Sequence, residues 1–589
     1  MRKTGLFVFV VFAVCVFAGC NPYGNKNEEK IVTLACSEDW KFHPGEGKDS
    51  LWMEPAYNDS AWVTVSSLKQ LKEQGQATDD GFGWYRKKLV FPDSLNNGLS
   101  SANALVLHLG RFGGPDELYF NGTLVGKTSS FPPDYEGYHD EERNYFVPGS
   151  LINKDGENLV AIKFNDGWGV GGFLGGDSLV ISSASVNDKL RLNVVVNDSD
   201  DIFLGDEPVS ITASLKNRNE ADVQGTLFVN ITTDTYKPVR IDSVEFSVDG
   251  SAEYSHEFVF ADAAPGFYRY TVFFKRNGET GEKKKFNIGY EPEKIESPVD
   301  AQADFKAFWD KNREELSKVA PRYKMTLQPE YSKLDYNIYR VEMYSLDHEL
   351  IRGYYAQPKR KGKFPVIVEY MGYGSGPYPP EQSWNGFACF ILSVRGQALN
   401  LPDNHYGTWI TSGLDRKEHY YYRGAFMDVI RAVDFVCSRP EIDTSKIAVR
   451  GSSQGGALSF ASAALDKRVK VAAPGIPFLS DYPDYFQIAP WPKSDFDTYM
   501  KEHPEANWDD IYRLLSYFDI KNLAPWITCP LYMGFGVQDN VCPPHINFAA
   551  YNQVKSEKYW MAGANYGHSA SLAFHQASME FIRKKLGVE

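Results

Sequence analysis

One pentapeptide constrains this chain more than any other feature. Gly451-Ser452-Ser453-Gln454-Gly455 follows the apolar run Ile447-Ala448-Val449 and precedes a small-residue stretch over 456–465. Read as strand, tight turn and helix, this G-x-S-x-G arrangement leaves little choice of backbone: the glycines permit a strained turn and close approach of the following helix, so Ser453 projects from the sheet edge. The bland alternative is a glycine-rich strand-to-helix turn whose serine is merely solvated.

The surroundings favour the first reading. From about residue 335, short apolar runs alternate with helical stretches, as in a largely parallel sheet with crossover helices. Val366-Ile367-Val368, Phe390-Ile391-Leu392, Ile447-Ala448-Val449, Val469-Lys470-Val471 and Leu531-Tyr532-Met533 are the strand candidates. Upstream, Phe305, Phe308, Trp309 and Leu316 recur at helical spacing and predict an amphipathic opening helix. Together these features predict an α/β-hydrolase domain over residues 291–589.

A serine hydroxyl needs a general base, normally an imidazole oriented by a carboxylate, and in this fold the chain order is Ser, acid, His. Of the downstream histidines His503, His545, His568 and His575, His568 is in the best place, in a loop between the strand-like Tyr559-Trp560-Met561 and the final helical stretch. Asp539 follows the run 531–535 in a loop where a strand end can present it to His568. A capping histidine and an ordinary turn aspartate are the alternatives. The oxyanion requires two donors, usually the N–H after the nucleophile and one from an earlier strand-end loop. Gln454 fills the first position, and Tyr373 in Met371-Gly372-Tyr373-Gly374 the second.

At 589 residues the chain exceeds a single core, since domains usually run to ~100–200 residues. Residues 31–187 carry short alternating apolar segments without a helix-period stretch, and Asn121-Gly122 between Leu118-Tyr119-Phe120 and Leu124-Val125 predicts a hairpin. Residues 188–290 show period-two runs at Val209, Ile211, Ala213, Leu215, at Leu227, Val229, Ile231, and at Tyr268, Tyr270, Val272, Phe274, suggesting an immunoglobulin-like sandwich. Glu291-Pro292-Glu293-Lys294 reads as a linker. The expected class is therefore multidomain, two N-terminal all-β sandwich domains followed by a C-terminal α/β-hydrolase domain.

A net charge of −14 argues against nucleic acid and anionic lipid as partners and suits a neutral or cationic substrate. No metal-ligand cluster, phosphate loop or dinucleotide fingerprint occurs, so neither metal nor cofactor is expected. Cys389, Cys437 and Cys529 sit in apolar runs and read as core thiols.

At the N-terminus, Arg2 and Lys3 precede an apolar run over 6–17 that ends in Ala18-Gly19-Cys20, a signal peptide over residues 1–20. Its ending resembles the bacterial lipobox, although Phe17 replaces the usual Leu. That resemblance implies a lipid on Cys20, a tether over 21–30 and a place in the cell envelope, facing the periplasm or the cell exterior, with membrane contact through the anchor alone.

Two further resemblances bear on function. Tyr57-Asn58-Asp59-Ser60-Ala61-Trp62, Trp84-Tyr85-Arg86-Lys87, Tyr119-Phe120-Asn121-Gly122 and the glycine-rich loop 167–176 resemble the galactose-binding-like jelly roll at the front of family-two glycoside hydrolases and some sialate esterases. Such domains are often spacers; Trp168 and Phe173 are candidates for stacking on sugar or for internal packing. Over the last ~290 residues, Gly372-Tyr373, Arg395-Gly396-Gln397, Tyr420-Tyr421-Tyr422-Arg423-Gly424, the pentapeptide, Asp539 with Pro543-Pro544, and Gly567-His568 resemble the acetyl xylan esterase and cephalosporin C deacetylase family, carbohydrate esterase family seven.

That resemblance implies a triad of Ser453, Asp539 and His568, an oxyanion hole at Tyr373 and Gln454, structural support from Arg395 and Gln397, and removal of O-acetyl groups from an acetylated oligosaccharide or polysaccharide. Ser569 stands where the family usually has Glu after the histidine. The family's closed hexamer is not expected, because two N-terminal domains and a tether add bulk. A prolyl-oligopeptidase-like peptidase shares the elbow, but blade-period repeats are absent. A catalytically inactive glycan-binding lipoprotein is the remaining alternative.

Overall fold

The computed structural model describes residues 31–47, 51–78, 81–93, 95–96, 103–132, 140–166, 171–176, 178–205, 207–261, 263–375, 378–380 and 386–588. The leader with Cys20, the tether and Trp168 lie outside them.

The N-terminal half is rich in β-sheet. Among the described residues, one sheet runs Thr33–Ala35, Val180–Ser183, Ala104–Gly113, Gly172–Phe173, with Asp140–Pro148 also paired to Ala104–Gly113. A second runs Val63–Val65, Trp40–Pro44, Phe82–Val90, Glu157–Asn165, Asp116–Phe120, Thr123–Thr128. Alternate residues of both sheets, Phe42, Leu118 and Ile162 facing Leu105, Leu107 and Phe112, share one core. The Asn121-Gly122 hairpin forms, both residues at positive φ (48° and 83°) as a type I′ turn requires. Buried Arg86 pairs with half-buried Asp59 at 2.9 Å. Phe173 resolves towards packing: it is buried, with its ring 4.4 Å from Tyr85 and 5.2 Å from both Trp40 and Phe112.

Between residues 190 and 290, a sheet of Leu190–Val196, Val209–Asn217 and Glu253–Phe260 shares a core with a sheet of Ile202–Phe203, Glu279–Tyr290, Gly266–Arg276, Val223–Thr233 and Pro238–Val248. The period-two residues read from the sequence all face that core. The segment expected as a linker is not free: Pro292–Lys294 is a 3-10 turn, and Asn552 Nδ2 donates to the carbonyls of Pro292 and Ile295, each at 3.1 Å.

In the C-terminal half the described residues form one nine-stranded sheet: β1 (Lys324–Leu327), β2 (Tyr336–Tyr344), β3 (Leu350–Pro358), β4 (Phe364–Tyr370), β5 (Ala388–Ser393), β6 (Ile442–Ser452), β7 (Val471–Gly475), β8 (Leu531–Gly536) and β9 (Lys558–Gly563). Their order is β1-β2-β3-β5-β4-β6-β7-β8-β9. The pairings from β1 to β5 are antiparallel and those from β5 to β9 parallel. The sheet thus begins at 324, earlier than the change of pattern near 335, and the strand sought at 469–471 begins only at Val471, because Val469 closes a turn on Asp466.

Helices cover both faces, as they must when a parallel sheet buries both. Val366, Val368 and Val449 join the larger core with α1 (Phe305–Ser317), α2 (Tyr421–Cys437) and α3 (Gln454–Leu465). Ile367, Ala448 and Val471 on the opposite face pack against Ile582 and Leu586 of the terminal helix (Leu572–Leu586). Short helices over 482–523 stand between β7 and β8, an insertion that the strand pattern did not announce. Cys389 and Cys529 are buried as expected, whereas Cys437 is half-buried.

Candidate active site

The central strands β4 and β6 end side by side, with Tyr370 registered to Gly451. Beyond Ser452 the chain turns sharply into α3, and Ser453 occupies the turn at φ 60°, ψ −120°, a region that favours glycine. The turn closes because its flanks lack side chains: a Cβ on Gly455 would come within 2.1 Å of the Tyr370 carbonyl oxygen, and one on Gly451 within 2.4 Å. The local sequence therefore forces the serine out of the sheet.

Two other strand ends meet it. The loop after β8 carries Asp539, and the loop after β9 carries His568. Ser453 Oγ lies 3.0 Å from His568 Nε2, and His568 Nδ1 lies 2.9 and 3.2 Å from the two carboxylate oxygens of Asp539. Asp539 is buried, and Oδ1 also accepts from the backbone N–H groups of Val541 and Cys542, each at 2.8 Å. Those bonds fix the carboxylate to its own loop and leave its other oxygen facing the imidazole. Burial alone would push the His568 pKa down; the adjacent Asp539 carboxylate outweighs it and holds the imidazole well above its ordinary value. The geometry permits the transfer of a proton from Oγ to Nε2 with the resulting imidazolium stabilised by Asp539.

The second candidate loop, after β4, carries Tyr373. Its ring packs edge-on to Trp409 and Trp491, with centroids 5.1 and 5.4 Å away, while Phe478 stacks on Trp491 at 5.2 Å. Phe478 N–H donates to the Ser453 carbonyl at 3.1 Å, placing this aromatic group beside the elbow. Burial raises the Tyr373 phenol to about 12, so it stays neutral, and its oxygen accepts from Ile410 N–H. Gln454 heads α3, where the first N–H groups have no intrahelical acceptor.

Gln397 ties these two loops together. Its Oε1 accepts from Gly374 N–H at 3.1 Å and from Gln454 Nε2 at 3.1 Å, and its Nε2 donates to Tyr421 Oη at 2.9 Å and Gln454 Oε1 at 3.0 Å. Arg395 lies outside this group and braces it. Its Nε and Nη2 make a two-pronged pair with buried Asp428 at 3.0 and 2.7 Å, while its carbonyl accepts from Tyr421 Oη at 2.7 Å. Of the eight residues expected to serve in catalysis, oxyanion binding, support or lipid attachment, seven lie here, and Cys20 lies outside the described residues.

Sequence reasoning named Tyr421 and Tyr422 within the run that carries the resemblance but gave them no role, and it missed Asp428 and Cys542. Tyr421 and Asp428, seven residues apart, lie on one face of α2. Tyr422 Oη donates to Gln454 Oε1 at 3.0 Å. Cys542, buried with its sulfur 4.0 Å from Ser453 Oγ, carried no signal beyond its place after Asp539; burial raises its pKa and keeps it a neutral thiol.

The family model for acetyl xylan esterase (AXE1) matches residues 290–585. Acetyl esterase Axe7A of Xylanibacter ruminicola is 27% identical over 316 residues, covering 51% of this chain and 71% of that protein. Among solved structures, the acetyl xylan esterase from Paenibacillus sp. R4 is 32% identical, covering 50% of this chain and 98% of that one at a TM-score of 0.47. Acetyl xylan esterase 1 from Thermoanaerobacterium sp. JW/SL YS485 is 27% identical with the same coverage and a TM-score of 0.46. Since the family model spans half of the 589 residues and includes every strand of the sheet that carries the site, this chain belongs to the acetyl xylan esterase (AXE1) family and is a carboxylic ester hydrolase.

Proposed function

We propose that this esterase removes O-acetyl groups from carbohydrates through an acetyl-Ser453 intermediate. The observation that carries the mechanism is the continuous line from Asp539 to His568 Nδ1 and from Nε2 to Ser453 Oγ, at 2.9 and 3.0 Å. Ser453 Oγ attacks the acetyl carbonyl while His568 Nε2 takes its proton. The N–H groups of Tyr373 and Gln454 receive the oxyanion. Protonated His568 then gives its proton to the departing sugar alkoxide, leaving acetyl-Ser453. Water enters and His568 takes its proton, and as the second tetrahedral species collapses His568 returns that proton to the departing Ser453 Oγ and acetate is freed. Arg395 and Gln397 hold the two donor loops at a fixed separation.

The aromatic group of Tyr373, Trp409, Phe478 and Trp491 beside the elbow supports a small acyl group. Each methylene is worth only about 1–3 kcal/mol of discrimination, so propionyl esters are expected to be slow and palmitoyl esters negligible. In this reading residues 31–187 are a galactose-binding-like jelly roll and 188–290 an immunoglobulin-like sandwich, supported by two sheets around one core in each. Cys20 carries the lipid that holds the chain at the cell envelope, and Cys20→Ala releases it from membranes.

The test is catalytic efficiency on acetylated xylo-oligosaccharides, p-nitrophenyl acetate, p-nitrophenyl palmitate and a proline-containing peptide amide. Acetate release from the oligosaccharides, abolished in Ser453→Ala, is expected. Preference for palmitate or peptide overturns the proposal.

A further inference from the structure

The loop that carries Asp539 is held at both ends by the β unit that precedes the esterase domain. At its start, Gln538 is buried. Its Oε1 accepts from Asn287 N–H at 2.7 Å, and its Nε2 donates to the carbonyls of Asn287 at 3.1 Å and Ala564 at 2.9 Å and approaches Asp201 Oδ2 at 3.3 Å. Asn287 Nδ2 donates in return to the Val537 carbonyl at 3.1 Å. At the far end, His545 Nδ1 lies 2.7 Å from Asp234 Oδ2. Between these contacts the interface is apolar: Phe267 and Ile202 of the β unit are buried in the esterase core, and the Phe267 ring lies 6.3 Å from Phe535 and 6.0 Å from Phe548.

Gln538 also joins the acid loop to the histidine loop. Its backbone N–H donates to the Tyr566 carbonyl at 2.9 Å, two residues before His568, and its side chain reaches Ala564. From the position immediately before Asp539, the Gln538 side chain thus contacts both the β unit and the loop that carries His568.

We propose that Gln538 is a positioning residue and that residues 188–290 form a working part of the esterase site, clamping the Asp539 loop through Asn287 and Asp201 so that the carboxylate meets His568. The proposal rests on Asp539 and His568 acting as acid and base. Loosening the clamp lets Asp539 drift from the imidazole without touching the substrate, so it lowers kcat and leaves KM nearly unchanged. It also weakens the carboxylate's hold on the imidazolium, so the acidic limb of the kcat profile moves to lower pH; Asp539 and the neutral thiol of Cys542 are the ionisable groups against that ring.

The experiment compares Gln538→Met and Gln538→Ala in the full chain with p-nitrophenyl acetate as substrate. The first keeps the volume and removes the hydrogen bonds. Arg269→Ala serves as a control for loosening the rest of the interface, including its far end, since Arg269 donates to the carbonyls of Asp234 and Ile488 and not to Gln538, Asn287 or Asp201. The expected result is a kcat lower by about 10- to 100-fold in both Gln538 variants, the range typical of residues that orient a reacting group, with KM within about twofold. The acidic limb moves down, and Arg269→Ala keeps both kcat and the limb. Folded Gln538 variants with wild-type kcat, or an equal fall in Arg269→Ala, overturn the clamp. Asp539→Asn is measured alongside: if it retains full activity, the triad assignment itself fails; if it is inactive while Gln538→Met is normal, only the clamp fails.

Discussion

Replacing Ser453 by glycine and by alanine asks how much strain the elbow stores. Both variants lack Oγ, so both lose the 3.0 Å contact with His568, and that loss cancels in their comparison. What differs is the backbone. At φ 60°, ψ −120° a residue with a Cβ pays about 1–3 kcal/mol, which alanine retains and glycine escapes. Glycine gives back about 0.5–1 kcal/mol through the greater freedom of its unfolded chain. The glycine variant should therefore be the more stable by up to about 2.5 kcal/mol, the reverse of the usual ranking in regular structure. Urea unfolding of both full-length variants, followed by pulse proteolysis of the esterase domain, reads this difference directly. Both should be inactive. If alanine is the more stable by about 0.5 kcal/mol or more, as it is in an unstrained element, the argument from strain is wrong.

Three further outcomes are expected. Asp539→Asn should leave the fold intact and reduce kcat by ~10⁴ through the wrong imidazole tautomer, measured on p-nitrophenyl acetate; sensitivity of a different downstream aspartate would displace Asp539. Gln397→Leu removes the partner of Gly374 N–H, Tyr421 and the Gln454 amide at once, leaving buried polar groups that cost about 1–3 kcal/mol each, so the urea midpoint and kcat should fall together. His545 is pushed down by burial and raised more strongly by Asp234 and Asp484, to about 10. Its folded value exceeds the ordinary ~6.5, so the pair's contribution to stability is whole below about pH 6.5 and is lost as pH rises through about 10. The thermal midpoint of the wild type should fall over that window more than that of His545→Gln, and parallel profiles would refute it.

The sequence determined those features that follow from neighbours along the chain. Period-two burial at Val209, Ile211, Ala213 and Leu215, helical spacing from Phe305 to Leu316, the positive-φ pair Asn121-Gly122 and the glycines around Ser453 each express a constraint local to a few residues, and each appears in the fold. Even Asp539 and His568 were legible, because the order of strand ends in a parallel sheet brings successive loops to one edge. The helices over 482–523 were not, since they occupy a loop whose length the sheet does not restrict. Nor were the partners of the support residues. Arg395 finds Asp428, Gln397 finds Gly374 and Gln454, and Gln538 finds Asn287 across 251 positions, by the way the sheets and helices pack. No spacing rule specifies such meetings: a buried polar group requires a partner, but only the packed tertiary structure decides which distant segment supplies it.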